Sequence, residues 1–92
     1  MRVSLWERAF TLLLAKPMTA AELAERLGLP RARVSTICSR YLKAGGLVEV
    51  DGLVPVGGRG RNRIRWRVKP HVREAISRGE TPARIREQAS EG

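Results

Sequence analysis

Apolar residues near the start of the chain recur at the spacing of a helix. A first helix is predicted over 5–16, and Pro17 ends it because proline has no amide hydrogen for a further turn. Leu5, Leu12 and Leu14 give this helix more apolar surface than one inward stripe requires, so the excess either completes the core or contacts a partner. The inward stripe consists of Trp6, Ala9, Phe10 and Leu13.

A second helix is predicted to begin after Thr19. Thr19 and Glu22 have the spacing of a capping box, in which each side chain bonds the backbone amide of the other residue, and Ser4 and Glu7 repeat that spacing before the first helix. Gly28 is expected to end the second helix in a left-handed conformation. The inward face of this helix consists of Leu23, Ala24 and Leu27.

The third helix is predicted over 30–44. Pro30 suits a first helical turn because the amides there have no partner within the helix, and Gly45-Gly46 ends the helix. The apolar residues of this helix fall at i, i+3, i+4, i+7 and i+8, which is the pattern of a stripe that faces a core. They are Val34, Ile37, Cys38, Tyr41 and Leu42.

The apolar period then changes to two, which predicts strands. Extended segments are expected at 47–50 and 53–56 around Asp51-Gly52, and Pro55 indicates the edge of a sheet. A basic, glycine-rich loop over 57–63 leads into a further strand that is buried on one face. Along that strand Arg63, Arg65 and Arg67 alternate with Ile64, Trp66 and Val68.

Two short helices are predicted near the C-terminal end, one beginning at Pro70 and the other after a cap at Thr81. The second has only Ile85 and Ala89 as apolar anchors. Because so thin a stripe buries little surface, we expect either a frayed tail or a segment that a second subunit orders. The helix that begins at Pro70 is predicted to dock inward through Val72, Ala75 and Ile76.

The composition and charge of the chain indicate what kind of partner it binds. The chain has 92 residues, enough for one domain with a modest core, and its net charge is +9. The segment 31–73 holds 11 basic and two acidic residues, whereas the remainder is neutral. Such segregation favours a surface that faces a polyanion over a generally basic, solvated surface. A single cysteine, no membrane-length apolar run and no secretory signal predict a cytoplasmic protein outside membranes.

The order of helix, helix, short turn, helix and basic hairpin resembles the winged helix-turn-helix family of transcription regulators, over about 5–68. Ala24 stands where the motif has a small residue under the crossing helix, Gly28 at its left-handed turn and Val34 at its branched core position. The doubled Gly45-Gly46 departs from the single glycine that is common in relatives. The motif's other apolar positions are filled by Leu23, Leu27, Leu29 and Ile37.

The resemblance implies that the third helix enters the major groove of DNA and that the hairpin, or wing, contacts the flanking backbone or minor groove. The residue types suit those roles, since arginine binds guanine or phosphate and serine and threonine bond phosphates or base edges. Glycine in the wing permits close approach, and arginine is favoured in a narrow groove. The candidate binding residues are Arg31, Ala32, Arg33, Ser35, Thr36, Ser39, Arg40 and Lys43 on the helix and Arg59, Arg61, Asn62, Arg63 and Arg65 on the wing.

Structural roles are favoured for the other residues that carry chemistry. Trp66 shares the inward side of its strand with aliphatic residues, which favours the core over a platform for stacking single-stranded bases. Cys38 lies on an inward stripe, which favours a small buried hydrophobe over a redox switch. Glu22 and Glu25 lie one turn apart, but the capping role of Glu22 makes a paired-carboxylate active site unexpected. The lone His71 predicts no metal site.

These patterns predict a mainly α protein with a small β-hairpin, namely an α+β winged helix-turn-helix with a three-helix core, a wing and a C-terminal helix. The winged domain spans 1–69, and 70–92 is a dimerisation element or a tail. We expect a homodimeric transcription regulator that binds specific sequences in double-stranded DNA, with no enzymatic activity, cofactor or evident small-molecule effector. Two alternatives remain: a winged helix that binds RNA, single strands or chromosomal DNA without sequence preference, and a protein-interaction module of a replication or transcription assembly.

Overall fold

The structure, a computed structural model, describes residues 4–55 and 62–91, with 89–91 described by their backbone. Helices and a three-stranded antiparallel sheet alternate within these ranges, which is the predicted α+β architecture. The elements are α1 (Leu5–Ala15), β1 (Met18–Thr19), α2 (Ala20–Leu27), α3 (Arg31–Thr36), a π-helical segment (Ile37–Lys43) that continues α3, β2 (Val48–Pro55), β3 (Asn62–Val68), α4 (Pro70–Ser77) and α5 (Pro82–Glu91). We call α3 and its π-helical continuation together the third helix.

Both ends of α2 are fixed as predicted. The Glu22 amide donates to Thr19 Oγ1 at 3.2 Å, and the Thr19 amide donates to Glu22 Oε1 at 3.1 Å, which completes the capping box. Gly28 has a φ of 69°, a left-handed conformation that costs glycine little. The amides of Gly28 and Leu29 both donate to the Ala24 carbonyl, at 2.9 and 3.1 Å. This closed turn directs the chain into the third helix.

The capping box predicted for α1 is wrong. Ser4 Oγ donates to the Glu7 carboxylate at 2.8 Å, and no side chain accepts a bond from the first amides of the helix. The two side chains therefore satisfy each other rather than the backbone. Sequence spacing alone does not distinguish these two arrangements.

The third helix changes its winding halfway along. Through Ile37–Lys43 the backbone is a π-helix, and the Ala44 amide that follows donates to the Ser39 carbonyl at 3.3 Å, five residues back. The wider turn places Leu42 fully inside, whereas Tyr41 is 44% exposed. The prediction of Tyr41 as a core residue is therefore wrong, because it assumed α-helical winding throughout.

The sheet has the strand order β1–β3–β2. β2 is one continuous strand rather than the two segments predicted, and it contains a β-bulge in which Asp51 is the extra residue between Val50 and Gly52. Pro55 lies on this edge strand, as predicted. β1 was not predicted; it pairs with β3 through Met18 opposite Trp66. A strand of two residues is too short to show an alternating pattern.

The core lies between the helices and the inner face of the sheet, where Trp66 and Val68 are almost fully buried. Val72 of α4 is fully buried in this same core, so the C-terminal segment shares it. None of the described helices combines the length and the apolar character needed to span a membrane. The largest fully buried side chains are Phe10, Leu13, Leu23, Leu42, Leu47, Val34, Val48, Val72 and Cys38.

The α5 helix packs against its own chain, contrary to the expectation of a frayed tail or one that only a second subunit orders. Ile85 is 8% exposed and belongs to the core. The Arg86 guanidinium lies 5.0 Å from the ring centroid of Trp6 and 5.3 Å from that of Tyr41, distances at which a cation attracts an aromatic ring. A count of apolar residues misses an anchor of this kind. The side chain of Ala89, the other expected anchor, lies outside the described part.

Candidate nucleic-acid interface

One side of the third helix packs against the core, and the other side is exposed to solvent. Its first turn forms on the Pro30 carbonyl, which accepts the amides of Arg33 at 3.1 Å and Val34 at 3.2 Å. Val34 and Ile37 are buried in the core and fix the helix against α2. Every candidate binding residue predicted on this helix is exposed: Arg31, Ala32, Arg33, Ser35, Thr36, Ser39, Arg40 and Lys43.

A groove with a volume of about 850 Å³ separates the third helix from β3. It brings together residues that are about 30 positions apart in the sequence, because β3 is both the second strand of the hairpin and the central strand of the sheet. The N-terminal end of α2 also lines the groove, through Ala20 and Ala21. We use the name groove for the surface lined by Ala20, Ala21, Arg31, Ala32, Ser35, Ser39, Lys43, Asn62, Arg63, Ile64 and Trp66.

The polar lining of the groove suits a polyanion. Arg31, Lys43 and Arg63 line it, and no acidic side chain does so in the part of the chain that the structure describes. Ser39 Oγ donates to the Ser35 carbonyl at 3.0 Å, which leaves its lone pairs free to accept. The groove therefore offers three cations and two hydroxyls, groups that bind phosphates and base edges.

Three predicted residues lie on another side of the third helix. Arg33 and Thr36 are exposed but do not line the groove, and Thr36 Oγ1 donates to the Ala32 carbonyl at 3.1 Å. Arg40 lines a separate hollow of about 370 Å³ whose wall includes Trp6. The structure thus divides the predicted helix residues between two surfaces.

The arginines of the hairpin have different surroundings. Arg65 Nε donates to Asp51 Oδ2 at 2.6 Å, so this predicted binding residue is already ion-paired. Arg63 and Asn62 line the groove, as noted above. Arg59 and Arg61, predicted for the tip of the wing, lie outside the described residues.

The remaining candidates have the following environments. Trp66 lines the groove but is only 4% exposed, so it belongs to the core and offers too little surface for stacking a base. Cys38 is fully buried, and burial raises the pKa of its thiol from 9.0 to about 12, which opposes formation of the reactive thiolate. His71 is exposed, and within the described residues no three His, Cys, Asp or Glu side chains come together as metal ligands.

Three groove residues were not anticipated from the sequence. Ala20 and Ala21 line the groove because β1 pairs with β3 and draws the beginning of α2 beside it, whereas Ile64 lines it from β3 itself. Two alanines directly after a helix cap are a weak signal, since small residues permit close approach without requiring it. Ile64 has the inward parity of its strand but lies beyond the core, where it is 41% exposed.

The sequence matches no family model and no curated protein. Among solved structures, the chain is similar to the crystal structure of RV1404 from Mycobacterium tuberculosis, with a TM-score of 0.59 and 17% identity, covering 95% of this chain and 55% of that one. It is also similar to a variant of ZitR from Lactococcus lactis, with a TM-score of 0.55 and 17% identity, covering 100% of this chain and 66% of that one. The chain thus spans between about half and two thirds of these proteins' lengths. The likeness concerns the fold, and that fold is an α+β winged helix.

Proposed function

We propose that this chain binds double-stranded DNA with sequence preference and regulates transcription, without enzymatic activity. The observation that carries the proposal is the groove, in which the third helix and β3 present Arg31, Lys43 and Arg63 with no acidic neighbour among the described lining residues. These cations belong to the segment 31–73, which contains the whole charge surplus of the chain. A basic surface of this kind supplies the sequence-independent part of DNA affinity.

In this proposal the third helix enters the major groove by its N-terminal half. Arg31 stands at the first turn, where a guanidinium can donate to both O6 and N7 of guanine. Ser35, one turn further, can accept from or donate to a base edge or a phosphate. Lys43, near the other end of the helix, is better placed for the DNA backbone. Base reading is thus assigned to Arg31 and Ser35.

The wing supplies contacts to the flanking DNA. Arg63 and Asn62 lie where β3 leaves the groove toward the tip of the hairpin. Arg59 and Arg61 are assigned to the same role from their residue type and their glycine-rich context. Arg33, Thr36 and Arg40, which face away from the groove, are left for phosphates beside the helix.

We further propose that the active form is a two-fold homodimer that joins through α1 and the segment from Pro70 onward. Dimeric DNA readers with this motif bind two half-sites, and their recognition helices are then spaced by one helical turn, roughly 34 Å, or a multiple of it. Leu5, Trp6, Leu12 and Leu14 are partly buried against the core of their own chain and keep only part of their surface for such an interface.

Selection from a pool of random duplexes tests the proposal. We expect the full chain to enrich a short sequence, or two copies of it in inverted orientation, with a counterscreen against RNA of matched length. Duplex binding without any enrichment would support a chromosomal protein that coats DNA. Preferential retention of RNA or of single strands would contradict duplex recognition, and failure to bind any nucleic acid would favour a protein-interaction module.

A further inference from the structure

The outer face of the hairpin is the face that points away from the core, and it carries Glu49, Asp51, Arg65 and Arg67. Arg63 has the same strand parity but lines the groove. Glu49 and Asp51 are the two acidic residues of the basic segment 31–73, and both lie on this face. The remaining acidic residues of the chain lie outside that segment. The negative charge of the segment is therefore concentrated at one place.

The two carboxylates lie directly against two of the arginines. Arg65 Nε lies 2.6 Å from Asp51 Oδ2, and Arg67 Nη2 lies 2.6 Å from Glu49 Oε2. Arg67 also reaches Asp51, with 3.5 Å between Nη1 and Oδ1. The β-bulge makes the second contact to Asp51 available, because the extra residue on β2 brings its carboxylate between two arginines on β3.

The acidic side chains of these ion pairs are less exposed than the arginine side chains. The carboxylate-bearing side chains are 17% exposed for Asp51 and 33% for Glu49, whereas Arg65 and Arg67 are 44% and 46% exposed. The acidic groups thus lie beneath the guanidinium groups. Exposed ion pairs contribute little to folding stability, so stability alone is a weak reason for this arrangement.

On the groove side of the molecule, by contrast, the basic side chains have no acidic partners among the described residues. Arg63 is on the same strand as Arg65 and Arg67 but stands opposite Val54, and it forms no ion pair with any described residue. Arg31 and Lys43 likewise line the groove without an acidic neighbour there among the described residues. The basic segment therefore has one surface whose charges are uncompensated and one whose charges cancel.

We propose that Glu49 and Asp51 act as built-in counterions, which keep nucleic-acid phosphates off the outer face of the hairpin and confine the duplex to the groove side. The inference rests on the proposed function, since it concerns the same polyanion. It assigns a role in limiting non-specific contact to two acidic residues, and it removes Arg65 from the set of residues that contact phosphate.

Salt dependence of binding to a scrambled duplex tests this inference. Each phosphate contact adds about 0.9 to the slope of log affinity against log salt. The double variant Glu49→Gln/Asp51→Asn should bind the scrambled duplex more tightly at low salt, with a slope steeper by about 1 to 2 than that of the native chain. Replacing Arg65 and Arg67 by Ala in that background should return the slope to the native value.

The matched control is Glu74→Gln/Glu80→Gln, which changes the net charge equally and frees Arg78 from its two ion pairs at the C-terminal end of α4, away from the groove. An equal increase in this control would show a general charge effect and would overturn the inference. If the first variant does not fold, Arg65→Ala/Arg67→Ala in the native chain decides: an unchanged slope supports the inference, and a loss as large as that of Arg63→Ala overturns it. A native chain that does not bind duplexes would refute the proposed function instead.

Discussion

Two arginines in the groove are assigned different tasks, although their side chains are identical. Arg31 begins the third helix, whereas Arg63 lies on β3 near the hairpin tip. In the proposed function the first contacts a base edge and the second contacts the DNA backbone. Since a base contact is sequence-dependent and a phosphate contact is not, substitutions at the two positions should give different signatures.

Replacing Arg31 by Ala should cost about 1–3 kcal/mol on the preferred duplex and relax the preference at one base position. Arg63→Ala should weaken all duplexes alike and reduce the salt slope by about 1. Arg33→Ala, which removes an arginine outside the groove that is assigned to phosphate, is the matched control and should leave the base preference unchanged. Titrations on a selected and a scrambled duplex at two salt concentrations provide the comparison. Equal losses on both duplexes for Arg31→Ala would refute its assignment.

Cys38 provides a prediction about pH. Burial raises the pKa of its thiol from 9.0 to about 12, so the folded protein retains a proton that the unfolded chain releases. The contribution of this group to the free energy of unfolding is therefore complete below pH 9 and is lost as the pH rises from about 9 to 12. We expect a thiol reagent to label Cys38 only through unfolding, at a rate that denaturant increases. Rapid labelling of the native protein would contradict the buried thiol.

Single residues also show how far sequence reasoning extends. The capping box at Thr19 and the left-handed Gly28 were predicted correctly, because each depends on atoms within a few positions. The same spacing at Ser4 gave a different bond, since two side chains close to each other have more than one way to pair. Tyr41 was misplaced because its direction depends on helix winding, which the apolar pattern does not report.

At the scale of elements, the third helix and α5 approach each other closely at Gly45. A Cβ atom added at Gly45 would lie 2.5 Å from the Tyr41 carbonyl oxygen and 2.6 Å from Arg86 Cγ. The absence of a side chain thus allows α5 to place Arg86 against the aromatic rings. Small residues are required where backbone and side chain approach this closely.

Gly45→Ala should therefore lower the free energy of unfolding by about 1–3 kcal/mol, the usual cost of overpacking. Gly52→Ala is the matched control, since a Cβ there would lie 3.6 Å from the nearest atom, in the Arg65 guanidinium, and should be accommodated. Urea denaturation of both variants measures the difference. Equal midpoints for the two variants would show that α5 is not held at this position.

Several elements could not be derived from the sequence. The helices, their order and the alternating strand were predictable, because each buries a periodic apolar face. The short β1, the bulge at Asp51 and the docking of α5 depend on contacts between distant parts of the chain. The division of the hairpin arginines could not be predicted either. Arg65 is paired with Asp51 on the neighbouring strand, whereas Arg63 lines the groove, and such pairing across the hairpin is not visible in the sequence.

At the scale of the whole molecule, assembly is the property least determined by one chain. We predict a two-fold dimer through α1 and the segment from Pro70 onward, because α1 has more apolar surface than one stripe requires. One chain has a mass of 10.2 kDa, and light scattering at micromolar concentration should give twice that mass. A mass of one chain across that range would contradict the dimer but not the groove, whose lining comes from a single chain.

The central claim is that the charge surplus of this small fold is arranged to bind duplex DNA along the groove. The most direct test is the affinity of the native chain for a duplex, and for RNA of equal length, over a series of salt concentrations. If each chain neutralises about five phosphates, log affinity for the duplex should fall against log salt with a slope of roughly −4 to −5 per chain, and the duplex should be preferred. Affinity that does not change with salt, or no binding to the duplex at low salt, would contradict the account.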